Sequence, residues 1–244
     1  MSDRNPDTQS ASLFERGDAY RALRRYETPA LKPKHMRQYD HEFWNATGCR
    51  PGMSVLEVGC GTGQFLAYLA AKGVEDFVGI DADGGVRAAI PEAAANRFVE
   101  SDLAAFVAEN TGQRRFDRVV LFDVLEHLTL EQGIAALESL HAIVADGGRL
   151  AIRVPNGGSP WGLHIQHSTI DHVTIYTTDK LIELARLTGY DCLRFLPQKI
   201  GPPVRRTLQA ALHAVLDRVL VQRPEVWTAN VVAVFARPHR PGER

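Results

Sequence analysis

Short apolar runs alternate with helical patterns of apolar and polar residues through the middle of the chain. Seven runs rich in β-branched and aromatic residues are predicted strands: the run starting at Val55, then Phe77–Asp81, Phe98–Leu103, Phe116–Phe122, Arg149–Val154, Cys192–Leu196 and Ala229–Ala236. Helical spacing recurs at Gln64–Ala71, Glu131–Val144 and Thr178–Leu187. Strands that alternate with helices predict an α/β fold with a mainly parallel sheet.

One more helix is predicted between the last two strands, within an insertion at residues 201–227. Its apolar positions recur at helical spacing, at Leu208, Ala211, Leu212, Val215, Leu216, Val219 and Leu220. Its basic and other polar residues fall largely elsewhere. Such a helix packs on its own domain or on a second subunit, and a basic amphipathic helix also suits a membrane surface. A homodimer and a peripheral membrane contact through residues 205–220 therefore both stay open.

Three glycines at alternate positions follow the first strand, in the sequence V-L-E-V-G-C-G-T-G from Val55 to Gly63. Glycine lets a backbone turn sharply and approach a ligand closely. A dinucleotide-binding turn would need a third glycine where Gln64 stands, and a P-loop would need a Gly-Lys-Ser/Thr sequence that is absent. Glu57 before the turn would repel a phosphate, so it favours a cationic or hydroxyl-bearing ligand.

Acidic residues follow the next strands in order. Asp81 ends the second strand, where a carboxylate can accept both hydrogens of a ribose diol. Ser101 and Asp102 end the third strand, where they can meet an exocyclic amine. The fourth strand runs directly into Asp123-Val124-Leu125-Glu126-His127.

The motifs E-V-G-C-G-T-G, G-I-D, S-D-L and D-V-L-E-H-L, in this order, resemble the class I S-adenosylmethionine-dependent methyltransferases. The resemblance implies a Rossmann-like three-layer sandwich with a seven-stranded, mostly parallel sheet whose last strand is antiparallel. It also implies S-adenosylmethionine as cofactor. The residues that it places at the cofactor are Glu57, Gly59, Cys60, Gly61, Gly63, Asp81, Ala82, Ser101, Asp102, Leu103, Phe122 and Asp123.

The expected domain organisation has three parts. Residues 1–48 would form an N-terminal helical cap over the substrate region, residues 49–238 the methyltransferase domain with its insertion, and residues 239–244 a loose tail. A length of 244 residues suffices for one sizeable core.

The composition narrows the class of partner. A formal net charge of -1 argues against general nucleic-acid binding, and the three cysteines form neither a disulfide framework nor a zinc motif. No secretory signal and no apolar run of membrane-spanning length is visible, so the expected location is the cytoplasm.

Transfer of the methyl group to an oxygen needs a base, and histidine is the natural one near neutral pH. Candidates are His127 and His172, with His164 and His167 less favoured. Asp123, Glu126 and His127 could also bind Mg²⁺ or a similar divalent ion if they share one helical turn. Hydrogen bonds to neighbouring loops are the competing explanation for Glu126 and His127.

The segment from Pro155 to Thr178, with P-N and H-V-T-I-Y-T, resembles small methyltransferases of bacterial polysaccharide and natural-product pathways. That resemblance implies a small hydroxylated acceptor, such as a sugar. Thr169 departs from it, because relatives usually have an acid there, and Asp171 is the adjacent alternative partner for His172. D-V-L-E-H-L also resembles quinone-pathway O-methyltransferases. A cofactor-binding domain without catalysis is the remaining alternative.

Overall fold

The computed structural model describes residues 26–238, and a seven-stranded sheet runs through their centre. The strands are β1 (Val55–Val58), β2 (Phe77–Asp81), β3 (Phe98–Glu100), β4 (Phe116–Phe122), β5 (Val144–Pro155), β6 (Asp191–Pro197) and β7 (Asn230–Ala236). Their order is β3-β2-β1-β4-β5-β7-β6, and only β7 is antiparallel to its neighbours within the described range. The predicted sheet is confirmed.

Helices cover both faces of this sheet. They are α1 (Pro33–Tyr39), α2 (Gln64–Ala71), α3 (Leu103–Asn110), α4 (Leu130–Leu140), α5 (Pro160–Gln166), α6 (Thr178–Leu187) and α7 (Pro203–Val219). α1 continues through a π-helical turn at Asp40–Trp44 into Asn45–Thr47. Short 3₁₀ turns lie at Gly84–Ala89, Glu92–Arg97 and Leu125–His127.

Two apolar clusters, one on each face of the sheet, account for the three layers. One cluster joins strand residues such as Leu121 to helix residues such as Leu137 and Leu181. The other joins Val120 to Phe65 of α2 and the α1 region. Because the inner strands are buried on both faces, they read as nearly continuous apolar runs rather than alternating ones.

Two predicted boundaries are wrong for local reasons. The helix expected to reach Val144 ends at Leu140, because Val144 pairs with Phe116 and opens β5. The strand expected to reach Leu103 ends at Glu100. Asp102 accepts a hydrogen bond from the Ala105 N–H at 2.9 Å and so starts α3 as its N-cap.

The described part of the N-terminal region packs into the same core as the sheet. Tyr39 and Phe43 belong to the cluster that contains Val55 and Phe65. Residues 1–25, and the tail predicted at 239–244, lie outside the described residues. Among the helices of residues 26–238, none combines the length and apolar character that crossing a bilayer requires.

The helix of the insertion, α7, lies between β6 and β7 as predicted. It does not pack on its own domain through its apolar side, because no residue of α7 is buried. Its polar side instead faces the domain, where Trp227 Nε1 donates to Asp217 Oδ1 at 2.9 Å.

Candidate cofactor site and histidine cluster

The strand order brings the predicted site residues to one edge of the sheet. In the order β3-β2-β1-β4-β5, the carboxyl ends carry Asp102, Asp81, the glycine turn, Asp123 and Pro155 in succession. Open α/β sheets bind their ligands at this edge. The structure therefore groups residues that lie far apart in the sequence.

The turn after β1 depends on its glycines. Gly59, Gly61 and Gly63 all have positive φ angles, of 69°, 50° and 75°. A side chain at Gly59 would also place its Cβ only 2.7 Å from Val124 Cγ2. The turn thus follows the path that the sequence predicted, directly into α2. Cys60 lies buried within it.

Glu57 is buried below the turn, and its Oε2 has no hydrogen-bond partner among the described residues. Burial raises the pKa of its carboxyl group well above the ordinary value. An unpaired buried carboxyl is costly unless a ligand satisfies it. The ammonium group of a methionine moiety has the charge and the donors that would do so, and the site fits S-adenosylmethionine in this respect.

Asp81 is held in place by two backbone donors. Gly61 N–H donates to Oδ2 and Asp83 N–H donates to Oδ1, each at 2.9 Å. A carboxylate has about four lone-pair positions, so both oxygens can still accept hydroxyl hydrogens. Asp81 thus fixes the glycine turn from the neighbouring strand. Ala82 follows it and is exposed.

The third-strand residues have a structural role that the sequence prediction missed. Asp102 is an exposed N-cap that uses Oδ1 for α3, and Leu103 is the first residue of that helix. Ser101 N–H donates to the Asp81 carbonyl at 3.0 Å. A contact between Asp102 and the adenine therefore stays a prediction. Such a contact would use the second carboxylate oxygen of Asp102.

A partly buried arginine, Arg153, organises the end of β4. Arg153 donates to Asp123 through Nε at 2.9 Å and through Nη2, while its Nη1 donates to Glu42 Oε2 at 2.8 Å. Burial by itself would lower the pKa of Arg153, but the carboxylates of Asp123 and Glu42 outweigh it and raise the pKa. Neither Arg153 nor Glu42 was predicted from the sequence, because their pairing joins distant segments.

Asp123 has an unusual backbone conformation at this point. Its φ angle of 58° is positive, which no other non-glycine residue of the described range shares. Aspartate tolerates that region better than most residues, and such conformations cluster at functional sites. Phe122 beside it is buried and lies parallel to Tyr39, with ring centroids 6.2 Å apart.

The loop after β5 returns to the turn after β4 and forms a histidine cluster. The Glu126 carbonyl accepts hydrogen bonds from Val173 N–H at 2.7 Å and Thr174 N–H at 3.1 Å. This anchoring places the rings of His127 and His172 with centroids 4.8 Å apart. His164 and His167 are exposed on and after α5 and do not join the cluster.

Asp171 pairs with His127 rather than with its neighbour His172. His127 Nδ1 lies 3.1 Å from the Asp171 carbonyl oxygen and 3.4 Å from its Oδ2. The aspartate–histidine contact that the structure shows is therefore at His127 and not at His172. His172 Nδ1 is buried and has no hydrogen-bond partner within residues 26–238.

Glu126 completes this cluster. Its side chain is buried, and burial, reinforced by the charge of Asp123, raises the pKa of its carboxyl group to about 8. Glu126, His127 and His172 each have a possible ligand atom within 4.8 Å of the others. The metal set expected from sequence included Asp123. In the structure, His172 and not Asp123 lies with Glu126 and His127, and Asp123 is instead bound to Arg153.

Comparisons with known proteins bear on the family and the fold of this chain. A family model described as "Methyltransferase domain" matches residues 29–194. A protein from Methylorubrum populi named protein-L-isoaspartate O-methyltransferase is 38% identical over 114 residues, which are 46% of this chain and 50% of that protein. The chain thus matches about half the length of this relative.

Solved structures share the fold at low sequence identity. A SAM-dependent methyltransferase from Archaeoglobus fulgidus aligns with a TM-score of 0.61 and 18% identity, over 83% of this chain and 91% of that one. Magnesium protoporphyrin IX methyltransferase from Synechocystis PCC 6803, solved with bound SAM, aligns with a TM-score of 0.57 and 16% identity, over 97% and 99%.

The family match covers most of the chain, and the fold and the glycine turn agree with it. The chain therefore belongs to the methyltransferase-domain family, and it shares its fold with solved SAM-dependent methyltransferases.

Proposed function

We propose that the protein methylates a hydroxyl oxygen of a small molecule, such as a sugar or another hydroxylated intermediate, with His127 as the base. The observation that carries this proposal is the contact between His127 Nδ1 and Asp171. It lies at the carboxyl edge of the sheet, beside the predicted cofactor residues.

Asp171 controls which ring nitrogen of His127 carries the proton. A carbonyl and a carboxylate oxygen beside Nδ1 favour a hydrogen on that nitrogen, so the lone pair stays on Nε2. The His127 side chain is about one third exposed, so part of the ring is accessible to an acceptor molecule. This is the arrangement that a general base needs.

When bound, S-adenosylmethionine would supply a methyl group on a positively charged sulfur, and a neutral thioether would be the leaving group. A hydroxyl group is a weak nucleophile until its proton is removed. His127 Nε2 would accept that proton as the hydroxyl oxygen forms its bond to the methyl carbon. The remaining task of the chain is to align the two reactants and exclude water.

For the cofactor, we propose that Glu57 and the turn Gly59–Gly63 hold the amino-acid part and that Asp81 holds the ribose. The unpaired Oε2 of buried Glu57 supports the first role. The fixed carboxylate of Asp81 supports the second. Asp102 and Leu103 would lie toward the adenine.

Two other kinds of acceptor compete with an aliphatic hydroxyl. The relative named as an isoaspartate O-methyltransferase favours oxygen as the methylated atom, and its name also suggests a carboxylate acceptor. A carboxylate needs no base, so loss of His127 would then have little effect. A phenolic oxygen, as in quinone-type rings, needs only modest help from a base because its pKa is about 10.

Catalysis by a bound divalent ion is the second mechanism that the cluster favours. Glu126, His127 and His172 offer one oxygen and two nitrogen donors. Such an ion would bind the substrate oxygen and favour loss of its proton, and it would require Glu126 to be ionised.

The test is methyl transfer from labelled S-adenosylmethionine to a panel of sugars, phenols and carboxylic acids. His127→Gln should lower turnover about 10²–10⁴-fold on hydroxyl acceptors while cofactor affinity stays unchanged. Asp171→Asn should lower turnover less than His127→Gln does, because the backbone carbonyl of residue 171 still faces His127 Nδ1.

His164→Gln is the matched control, because it changes an exposed histidine near the same loop. Chelator treatment separates the mechanisms: lost activity that Mg²⁺ restores would replace the base with a metal ion. Full turnover of His127→Gln on every acceptor, with no effect of chelator, would contradict the role of His127.

A further inference from the structure

The amphipathic helix α7 is oriented with its apolar side toward solvent. Five large apolar side chains are each at least 50% exposed and follow helical spacing: Val204, Leu208, Leu212, Val215 and Val219. We call these five residues the apolar face of α7. Surface helices of globular domains normally turn this side to the core, so the orientation is reversed.

The contacts of α7 with the domain explain the reversal, because they are polar. Trp227 Nε1 donates to Asp217 Oδ1, and the Trp227 ring stacks on His213 with centroids 5.1 Å apart. Trp161 Nε1 lies 3.3 Å from His213 Nε2. These contacts hold the polar side inward, so the apolar face is displayed by specific interactions.

Further exposed apolar residues lie between α7 and the loop after β5 that carries His172. Trp161 and Leu163 of α5 are both more than 40% exposed, and Trp161 contacts α7 through His213. Ile170 and Val173 flank His172 and are 86% and 59% exposed. Exposed apolar residues therefore extend from α7 to the loop of the candidate active site.

The residues around this surface are mainly basic, and their charge indicates which kind of partner would fit it. Residues 199–223 contain five lysines and arginines and one acid, Asp217, although the whole chain has a net charge of -1. Arg205 and Arg218 border the apolar face on its two edges at helical spacing. Asp217 faces inward and is bonded to Trp227. The outward surface is thus apolar in the middle and cationic at its edges.

We propose that this surface docks on an anionic membrane, with the apolar face of α7 inserted at the level of the headgroups. An apolar stripe flanked by arginines is the pattern of helices that lie in a bilayer interface. A second copy of the chain fits less well, because two such faces would bring like charges together without an acid to pair them. This inference goes beyond the proposed function and stands without it.

The test uses the full chain and large vesicles, either of phosphatidylcholine alone or with about one third phosphatidylglycerol added. The protein should cosediment with the anionic vesicles at low salt and bind the neutral ones at least tenfold more weakly. Leu208→Glu with Leu212→Glu should reduce binding at least tenfold. Arg205→Gln with Arg218→Gln should reduce binding and also weaken its dependence on salt.

Leu187→Glu on α6 is the matched control, because Leu187 is 68% exposed and lies outside this surface. It should bind vesicles like the unchanged protein. Circular dichroism and cofactor binding check that each variant is folded. Failure of the unchanged protein to bind anionic vesicles overturns the proposal.

Light scattering of the protein in solution separates the competing occupant. A dimer that Leu208→Glu with Leu212→Glu converts to a monomer, together with absent vesicle binding, would make the face an interface between copies. That result would also overturn membrane docking.

Discussion

Three acidic side chains at the cofactor edge have very different surroundings. Glu57 is buried with one unpaired oxygen, Asp81 accepts two backbone hydrogen bonds, and Asp102 is exposed and caps a helix. Their sequence context was similar, since each stands at or near the end of an apolar run. The differences in burial and pairing determine what each residue can contribute to binding.

Glu57 should make cofactor binding depend on pH. Burial raises the pKa of its carboxyl group well above the ordinary value and so favours the protonated form in the free protein. An ammonium group beside it favours the ionised form, so binding releases a proton. Affinity should therefore increase as pH rises above the ordinary pKa of a glutamate, by up to about tenfold per unit, while the amino group of the ligand stays charged.

Calorimetry in two buffers with different heats of ionisation measures the released proton directly. Glu57→Gln should bind more weakly and should lose the pH dependence. Its cofactor-free form should be at least as stable as the unchanged protein, because no buried carboxyl group remains to be ionised. Proton release that persists in Glu57→Gln would assign it to another group.

Asp81→Asn should weaken cofactor binding about tenfold or more. The amide replaces one accepting oxygen with a donor, which removes a charge-assisted hydrogen bond and disturbs the support of the turn through Gly61. Calorimetry gives the dissociation constant. Asp102→Asn is the matched comparison, because asparagine caps helices as well as aspartate does. If the two variants lost the same cofactor affinity, Asp81 would not have the specific role proposed for it.

At the scale of elements, the α1 region is joined to the sheet by charge as well as by packing. Glu42 lies in the π-helical turn after α1, and Arg153 on β5 links it to Asp123 after β4. One guanidinium thus connects three segments. A movement of the α1 region would therefore change the position of Asp123, which lies at the predicted cofactor edge of the sheet.

Arg153→Met should destabilise the fold by about 3–5 kcal/mol, because it leaves Glu42, which is fully buried, without its cation. Urea denaturation measures the loss. The double variant with Glu42→Gln should recover part of it, since the uncompensated charge is gone. Strictly additive losses would mean that the two residues act independently. Arg153→Lys should not restore full stability, because one ammonium cannot reproduce the forked contacts with both carboxylates.

At the scale of the whole molecule, the sheet order joins a cofactor edge, a histidine cluster and an exposed helix. The histidine cluster forms because the loop after β5 crosses back to the turn after β4. α7 then extends from the far side of the sheet, between β6 and β7, and contacts α5 through His213 and Trp161. Contacts through α5 and the loop after β5 thus connect the proposed membrane surface with the proposed base.

Local patterns in the sequence determined the parts of this protein that depend on near neighbours. Apolar runs predicted the seven strands, and the alternate glycines predicted the turn at Gly59–Gly63. Each rests on backbone conformation or spacing within a few residues, which is the range over which such signals act. Val144 was misassigned because a buried apolar residue fits either a helix or a strand.

Only the tertiary structure decided which distant side chains meet. The pairing of Asp171 with His127, the link from Glu42 through Arg153 to Asp123, and the outward turn of the α7 apolar face all join segments whose separation hides the contact. Hydrophobic periodicity shows that a helix has an apolar side, but it does not show what covers that side. That choice depends on the polar contacts of Asp217 and His213, which exist only once the chain has folded.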